Sequence, residues 1–375
     1  KSLSRATGLR SSCCRRSKNM TKVYFYHTEN IQFMFREWRK GSFPGHLLYG
    51  ATHLERHGIE IIQHKFREFG VKRLPLMLYT AYRILTCSEK YDAIYATHYR
   101  GLEIIIFLRA LGLYRHPIIL WHHQPMVRSS KRWREMLGRL FYKGMDDMFF
   151  FSQDLIDESL KTSKAVPERM HLGHWGPDIE YYDKVIASEK DNVTHEGFIS
   201  TGREMRDMKT LVEAFNATGA PIEIYLNKRN CGIDYEAMFA AMDIRDNVKV
   251  HFTSGYKHSE FCLLVYSAQC VCICCLETKY TVGLTTVVEA LGLGVPMICS
   301  RNPHLPMDIE KEGCGILVDY GDTEGWISAI RYITGNPEKA AEMGRNARNL
   351  AQRKFNVEIC AREVADIIKK RTLNS

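Results

Sequence analysis

The chain has 375 residues, of which 45% are hydrophobic and 25% are charged, a composition typical of globular proteins. This length exceeds that of one ordinary hydrophobic core, so we expect two domains. The net charge of +9 comes entirely from the N-terminal half: Lys and Arg outnumber Asp and Glu by 29 to 17 over residues 1–180, but number 23 against 26 over residues 181–375. No apolar run reaches the roughly 20 residues of a membrane-spanning helix.

Residues 1–19 are basic and rich in serine, but they lack the apolar stretch of a secretory signal. We expect a disordered or adventitious extension before Met20, and a cytoplasmic protein. The cysteines do not suggest a disulfide framework, because four of them stand in one apolar run typical of a buried strand: Cys270, Cys272, Cys274 and Cys275. Cys272 and Cys275 have Cys-x-x-Cys spacing, but no second pair and no histidine at zinc-finger spacing accompanies them, so we expect no metal.

From residue 20 onward, short apolar runs alternate with amphipathic segments. Strands are expected at 23–27, 59–64, 92–98, 117–123 and 147–152, and helices at about 45–57, 75–86, 102–111 and 130–142. Such alternation predicts a parallel sheet covered on both faces by helices. We assign this first domain to residues 20–175.

A second alternating series predicts a second domain over residues 197–355. Its strands are expected at 197–202, 222–226, 247–252, 269–276, 295–300 and 315–320. Two Rossmann-like, doubly wound α/β units fit this pattern better than one very large sheet. Residues 176–196, rich in Gly, Pro and charge, are expected to be a linker. Residues 356–375 are expected to form a last helix, and packing of this helix back on the N-terminal domain is one arrangement that we consider.

The loop at residues 283–286 is the most informative segment of the chain. Gly283, Leu284, Thr285 and Thr286 open a predicted helix that carries Glu289 in its second turn. A helix N-terminus offers unpaired N–H groups and the positive end of a dipole, which suit a diphosphate, and a fixed carboxylate suits a ribose diol. The alternative is that Thr285 or Thr286 only caps the helix and Glu289 is solvated.

This segment resembles the group 1 retaining glycosyltransferases of GT-B fold, in which Glu-Ala and small residues are followed by Gly-x-Pro-hydrophobic-Ile; here residues 289–298 are EALGLGVPMI. The stretch STGREMRDMKTLVEAF (200–215) is similar to that family's opening of its second domain, and it puts Arg203 and Arg206 at basic positions that contact phosphate. The similarity extends over roughly residues 22–365.

The resemblance implies two Rossmann-like domains that face a cleft, with the donor bound by the C-terminal domain. It implies that a sugar moves, with retention of configuration, from a nucleotide-diphosphate donor to a hydroxyl of a glycan or lipid-linked acceptor, in glycan or glycolipid synthesis. The donor would be bound by the residues that match the family: Arg203, Arg206, Gly283, Leu284, Thr285, Thr286 and Glu289. No cofactor or metal is implied, and the chain lacks the Asp-x-Asp motif of the metal-dependent alternative fold.

One departure from the family concerns the donor sugar. The family usually has a Glu eight residues before the helix Glu, but this chain has Thr281 there, and Glu277 is the nearest acid. The carboxylate that lies near the donor sugar in relatives is therefore absent or displaced. This leaves the sugar identity and the stereochemical outcome open.

In the N-terminal domain, three histidines follow predicted strands. His98 follows one strand, and His122 and His123 follow the next, so all three are expected at the carboxyl edge of the sheet, where α/β folds place ligands. In similar enzymes a histidine of these loops contacts the transferred sugar or the acceptor. Gly41 and Gly45 are candidates for close approach to the acceptor, although an ordinary turn explains them nearly as well.

The segment 127–144 predicts a basic amphipathic helix. Its apolar residues share one face, and basic residues surround them: Trp133, Leu137, Leu140 and Phe141 among Arg128, Lys131, Arg132, Arg134, Arg139 and Lys143. This pattern suits docking on an anionic membrane surface, where lipid-linked acceptors reside, and so a peripheral position on its inner face. A helix packed on the core with a solvated basic face is an equal alternative.

Other functions are weighed against this one. The same fold suits a sugar-nucleotide epimerase or hydrolase, but such an enzyme needs a carboxylate near the sugar, where the chain has Thr281. A dinucleotide-dependent dehydrogenase is disfavoured because neither first strand is followed by Gly-x-Gly-x-x-Gly. A non-catalytic scaffold protein would use the basic half to hold an anionic polymer. We expect no nucleic-acid partner.

Overall fold

The structure is a computed structural model that describes residues 20–70, 72–189, 193–253 and 257–373. The predicted extension at residues 1–19 lies outside the described residues. Within these ranges no helix is both long enough and apolar enough to cross a membrane.

The first domain contains a parallel sheet, as predicted, but the sheet has six strands where the sequence indicated five. Its strands are β1 Thr21–Tyr26, β2 Ile59–Gln63, β3 Ala93–Ala96, β4 Ile118–His122, β5 Asp147–Phe150 and β6 Met170–Leu172. They are ordered β2-β1-β3-β4-β5-β6, so the chain reverses direction across the sheet after β2. Every residue of β3 and of β4 is buried, because helices cover both faces of the sheet.

The helices of this domain are α1 Ile31–Arg39, α2 Arg73–Leu85, α3 Glu103–Ala110, α4 Arg132–Lys143 and α5 Gln153–Leu160. A short 3₁₀ helix, Pro167–Arg169, precedes β6. The helix α3 packs between α2 and α4, which places these three helices side by side on one face of the sheet.

The single helix predicted at 45–57 is wrong. The structure has two 3₁₀ helices instead, Gly45–Leu48 and Ala51–His57, separated by Tyr49 and Gly50, which both have positive φ angles (52° and 79°). Gly50 lies so close to the last helix of the chain that a Cβ atom there would be 2.9 Å from the Cα of Ala361. Tertiary packing therefore breaks the helix at a residue whose backbone tolerates the left-handed conformation.

The second domain also has a six-stranded parallel sheet. Its strands are β7 Phe198–Thr201, β8 Ile222–Leu226, β11 Val248–Phe252, β12 Cys270–Ile273, β13 Met297–Ser300 and β14 Gly315–Val318, and a small hairpin of β9 Arg229–Asn230 and β10 Ile233–Asp234 lies outside the sheet. In the order β11-β8-β7-β12-β13-β14 the chain adds β8 and then β11 on one side of β7 before it reverses to β12, whereas in the first domain only β2 lies on that side of β1. The predicted pair of separate sheets is confirmed.

The helices of the second half are α6 Ile179–Glu189, α7 Met208–Thr218, α8 Tyr235–Ala240, α9 His258–Ser267, α10 Leu284–Leu293, α11 Thr323–Gly335, α12 Pro337–Arg353 and α13 Val357–Leu373. The segment 176–196, expected to be a linker, contains the helix α6, which packs against α9 and α10. Asp178 begins this helix by accepting from the backbone N–H of Tyr181, and its other oxygen accepts from the N–H of Gly45 in the first domain (2.7 Å).

The last helix returns to the first domain. α13 packs against the second 3₁₀ helix, and polar side-chain contacts hold it along its length. Glu358 pairs with Arg56 (3.0 Å), Glu363 with His174 (2.6 Å), and Arg371 with the buried carboxylate of Asp147. The two domains are therefore joined by α6 and by α13, with the cleft between them.

Candidate functional site

The start of α10 lies in the C-terminal domain at the carboxyl edge of the sheet. Its N-cap is Gly283 (φ +88°), where a Cβ atom would be 2.9 Å from Ile273 Cγ2, and no side chain caps the helix. By contrast, Ser152, Asp207 and Asp322 each cap the helix that follows them. The alternative that Thr285 or Thr286 merely caps α10 is therefore wrong, and the first N–H groups of the helix are left without a side-chain partner.

Arg206 is fixed against this helix start. Its side chain is buried, with Nη2 donating to Thr286 Oγ1 (3.0 Å), Nη1 to Cys275 Sγ (3.1 Å) and Nε to the carbonyl of Thr201 (3.1 Å). Gly202 is required beside it, because a Cβ there would be 1.9 Å from Arg206 Nη2. A cation and the positive end of a helix dipole thus stand together at one point.

The two arginines predicted from sequence have different surroundings. Arg206 is buried, whereas Arg203 is exposed in the same loop. Leu284 and Thr286 are buried and Thr285 is exposed, so one of the two hydroxyls is held by Arg206 and the other faces outward. Burial raises the pKa of the Cys275 thiol and outweighs the opposing effect of Arg206, so this sulfur is a neutral acceptor.

Glu289 is not a solvated helical residue. Its side chain is 13% exposed, and its Oε1 lies 3.6 Å from His258 Nε2. Tyr181 holds the other nitrogen of His258 (3.0 Å), and the ring of Phe43, from the first domain, lies 6.0 Å from that of His258. Glu289 therefore lies at the boundary between the domains. Its partner His258 was missed by the sequence analysis, in which nothing distinguishes this residue.

The structure brings together two of the three predicted histidines. The rings of His98 and His123 are 6.1 Å apart, and His27, which follows β1, lies 6.2 Å from His98. His122 is separate, and its predicted place in one cluster with the others is wrong: successive residues at a strand end point to opposite faces, and its two nitrogens bind Gln124 O and the Tyr142 hydroxyl. His27 ends a strand as the others do, so the same reasoning could have found it.

The histidine cluster of His27, His98 and His123 is uncharged at neutral pH. Burial is the largest cause in each case: it lowers the pKa of His27 to about 4 and that of His98 to about 3, and the neighbouring His123 lowers both further. The pKa of His123 is also lowered by burial, against opposing effects of the Thr97 carbonyl and of Glu204. Neutral imidazoles can donate or accept a hydrogen bond but contribute no positive charge.

The tautomers of two of these histidines follow from their neighbours. His98 Nδ1 accepts from the N–H of Arg100 (3.0 Å), so its Nε2 carries the proton and donates to Thr28 Oγ1 (2.9 Å). His123 Nε2 lies 2.8 Å from the Thr97 carbonyl and must donate to it, which leaves Nδ1 as the acceptor.

Gly41 and Gly45 have different surroundings. Gly41 has a φ of +74° and nothing within 4 Å of a Cβ built on it, so it fits an exposed turn. Gly45 is enclosed: its N–H binds Asp178, and a Cβ would lie 2.8 Å from both Asp178 Oδ2 and Thr52 Oγ1. The missing side chain of Gly45 therefore allows the close contact between the two domains, and its N–H is bound to Asp178.

Loops from the carboxyl edges of both sheets meet across the cleft. His304, which follows β13, binds Asp154 at the start of α5, and Glu204, which follows β7, is near enough to His123 to affect its pKa. Among the described residues, no group of three or more His, Cys, Asp or Glu side chains is placed to hold a metal ion. What the cleft offers is therefore a fixed guanidinium, helix N–H groups and neutral imidazoles.

Comparison with known proteins finds a family match in the second half of the chain. The family model described as glycosyl transferases group 1 matches residues 234–350, which include α10 and Glu289. The MMP α-(1→4)-mannosyltransferase of Mycolicibacterium hassiacum is 22% identical over 254 residues, which are 67% of this chain and 60% of that protein. The chain thus spans about three fifths of the length of this curated relative.

Solved structures share the whole fold at low sequence identity. The sucrose-phosphate synthase of Thermosynechococcus elongatus has a TM-score of 0.70 at 15% identity, covering 95% of this chain and 100% of that one. HepE of Anabaena, solved with UDP and glucose, has a TM-score of 0.64 at 14% identity, covering 93% and 100%. The fold is GT-B, as predicted.

Proposed function

We propose that this chain, which belongs with the group 1 glycosyltransferases, moves a sugar from a nucleotide-diphosphate donor to a hydroxyl of a glycan or lipid-linked acceptor. The observation that carries the proposal is the buried Arg206 held against the uncapped start of α10. A diphosphate needs a fixed cation and free N–H donors at one place, and this is where the described chain provides both. HepE, solved with UDP and glucose, and the mannosyltransferase named above support a donor of this class.

The donor half of the mechanism rests on the C-terminal domain. The α- and β-phosphates would lie at Gly283–Thr286, with Arg206 beneath them and the exposed Arg203 and Thr285 able to reach them from solvent. Negative charge grows on the bridging oxygen as the sugar leaves, and donors already fixed in place stabilise it without reorganisation. Since Arg206 supplies positive charge at that point, we propose that the reaction needs no metal. Glu289 would bind the ribose hydroxyls.

The acceptor half rests on the N-terminal domain. His98 and His123 lie across the cleft and are neutral, so they would position sugar or acceptor hydroxyls by hydrogen bonds rather than by charge. His123 Nδ1 is an acceptor that its Thr97 contact leaves unused. Retention of configuration is proposed from the family alone.

We also propose that the enzyme docks on an anionic membrane through α2 and α4. α4 buries none of its residues, and Trp133, Met136 and Leu137 are 58%, 69% and 47% exposed. The single acid of α4, Glu135, is bound to Lys164 (3.1 Å). α4 also packs on the core through Phe141 and Tyr142, so the proposal concerns the exposed apolar residues of its outer side.

The helix α2, which lies on the other side of α3, has exposed apolar residues on the same face of the sheet. It has no acidic residue, and its exposed apolar side chains recur at helical spacing: Leu74, Leu78, Tyr82 and Leu85. Exposed apolar groups of this size, set among arginines and lysines, match the chemistry of a bilayer with anionic headgroups. A lipid-linked acceptor would be reached from there.

The donor site is tested by thermal shift with UDP, GDP, ADP and CMP. One nucleotide should stabilise the protein, by about 2.7 kcal/mol at 100 times its Kd. Glu289→Gln should weaken that shift, and the matched control Glu338→Gln, exposed in the first turn of α12, should not. No shift with any nucleotide would refute the proposed function, and heparin binding in its place would favour a scaffold role.

Membrane docking is tested by flotation with vesicles that contain anionic or only zwitterionic lipid. We expect binding to anionic vesicles, lost when Trp133, Met136 and Leu137 are changed to Ser. Tyr332→Ser, which removes an aromatic residue exposed on α11 of the other domain, is the control. Equal flotation of both variants would contradict docking through α4.

A further inference from the structure

We propose that Glu204 is the carboxylate that binds the hydroxyls of the transferred sugar, in place of the acid that the loop before α10 lacks at Thr281. The inference rests on the proposed function and names a residue that the donor-site residues identified from sequence do not include. Three observations support it: the position of Glu204 beside Arg206, the hydrogen bond that Tyr280 donates to its carboxylate, and the second carboxylate oxygen, which is unused in the described part of the chain.

Glu204 is attached to the donor end of the cleft. It lies two residues before Arg206, whose Nη1 donates to the carbonyl of Glu204 (3.1 Å). Arg206 in turn binds Thr286 at the start of α10. The carboxylate therefore stands one loop away from the place proposed for the diphosphate.

The loop of Glu204 is hydrogen-bonded to the segment that follows β12. Backbone bonds join Met205 O to Leu276 N (2.8 Å) and Asp207 N to Cys274 O (3.1 Å), so the loop is paired with the end of β12. Met205 holds a positive φ of 50° within this pairing, a conformation that costs energy outside glycine. A carboxylate on such a loop is held in place before a ligand arrives, as a recognition group should be.

The side chain of Glu204 is bound by a residue of the loop before α10, the loop in which Thr281 replaces the Glu that is usual in the family. The Tyr280 hydroxyl donates to Glu204 Oε1 (2.7 Å), and Tyr280 is the residue next to Thr281. The backbone carbonyl of Tyr280 is itself fixed by Asn302 Nδ2 (3.0 Å). A carboxylate therefore lies next to the neighbour of Thr281, but it belongs to the loop after β7 and not to the loop before α10.

Glu204 also faces the other domain. Its negative charge raises the pKa of His123, which burial lowers, so the two groups are within electrostatic reach across the cleft. The carboxylate is therefore attached to the loop of Arg206 and acts electrostatically on a histidine of the other domain. A sugar attached to the diphosphate would lie within its reach.

One oxygen of Glu204 is free to accept. Oε1 binds Tyr280 and, weakly, the thiol of Cys231 (3.6 Å), whereas Oε2 has no hydrogen-bond partner among the described residues. A carboxylate oxygen accepts only, and sugar hydroxyls donate readily to it. Glu277, the other acid near Thr281, is exposed and shows no such support.

The test compares binding of the bare nucleotide with binding of the nucleotide sugar. UDP, UDP-glucose, UDP-galactose, UDP-N-acetylglucosamine, GDP and GDP-mannose are titrated calorimetrically into the wild type, Glu204→Gln, Tyr280→Phe and Glu277→Gln. For the nucleotide sugar that binds best, Glu204→Gln should raise the Kd by about tenfold or more, since a hydrogen bond to a charged group is lost, and should leave the Kd of the bare nucleotide within about twofold. Tyr280→Phe should show a smaller loss of the same kind, and Glu277→Gln none.

The failures are distinguishable. If the wild type binds no nucleotide, the proposed function falls and this inference falls with it. If nucleotide and nucleotide sugar weaken equally in Glu204→Gln, or if Glu277→Gln alone loses the sugar, the donor site stands and Glu204 is not the sugar carboxylate. Because Glu204 is exposed, its Gln variant should fold normally, which an unchanged melting temperature without ligand would verify.

Discussion

Replacing Arg206 by Gln separates the role of this residue in binding from its role in folding. In the folded chain the guanidinium is 4% exposed and donates to Thr286, to Cys275 and to two backbone carbonyls. Gln can replace one of these donors. Leaving a buried acceptor unpaired costs about 1–3 kcal/mol, so we expect the free energy of unfolding to fall by about that amount in the absence of ligand.

The larger effect should be on nucleotide binding. A charge-assisted hydrogen bond to phosphate contributes about 1.5–3 kcal/mol, so the Kd for the preferred nucleoside diphosphate should rise by about 10- to 150-fold in Arg206→Gln. Arg206→Lys keeps the charge but not the fork that reaches Thr286 and Cys275 together, and its loss should be intermediate. The exposed Arg203→Gln is the matched control, for which we expect a smaller loss that disappears at high salt.

Isothermal titration at low and at high salt measures these effects, with urea unfolding of the same proteins beside it. A folded Arg206→Gln protein that binds the nucleotide as tightly as the wild type would refute the assignment of the diphosphate to the start of α10. A loss in Arg203→Gln larger than that in Arg206→Gln would move the phosphate site outward along the loop.

Three further predictions concern stability. Burial lowers the pKa values of His27, His64 and His122 to about 4 and that of His98 to about 3, so the unfolded chain binds more protons than the folded chain below about pH 6.5. The free energy of unfolding should therefore be full above about pH 6.5 and fall as the pH drops towards 4, by up to about 1.4 kcal/mol per pH unit for each histidine. Equal urea midpoints at pH 7.5 and 5.5 would contradict this. Gly50→Ala should lower the free energy of unfolding by more than about 1 kcal/mol, because residue 50 has a φ of +79° and the added Cβ would meet Ala361. Gly41→Ala is the control: its Cβ meets no neighbour, so the loss in the same thermal melt should be smaller. Arg371→Ala should lower the free energy of unfolding by about 1–3 kcal/mol, because the buried carboxylate of Asp147 loses a partner; the loss is smaller than for a fully buried pair, since the Arg371 side chain is 36% exposed. Arg362→Ala, at an exposed position of the same helix, is the control and should cost little in urea unfolding.

The sequence was sufficient where a residue type has one physical role. Alternating apolar runs located eleven of the twelve strands of the two sheets and missed only the short β6, and the Gly-Leu-Thr-Thr sequence located the start of α10. It failed where a distant contact decides. The break between the two 3₁₀ helices at Gly50 depends on Ala361, which lies 311 positions further along the chain, and the support of Glu204 depends on Tyr280.

The histidines show a different limit of the sequence. His122 and His123 are neighbours at one strand end, and the alternation of side chains sends them to opposite faces. Only the exact end of β4 decides which of them joins His98. His27 obeys the same rule: it follows β1, which pairs with β3, and its ring therefore lies beside that of His98.

The distribution of charge in the fold separates two tasks. The histidines of the N-terminal half that face the cleft are neutral, so they contribute nothing to its excess positive charge. Much of it surrounds the exposed apolar residues of α4, on the face of the sheet that this helix shares with α2. At the proposed phosphate site, the buried cation is Arg206, which belongs to the more acidic half.

This separation has a consequence for salt dependence. Charges on an exposed helix are screened over about 8 Å at physiological ionic strength, whereas a buried guanidinium is screened much less. Raising the salt concentration should therefore release the protein from anionic vesicles before it weakens binding of the nucleotide. If both were lost at the same salt concentration, one basic surface would be serving both ligands, and the donor site would not be the enclosed one at α10.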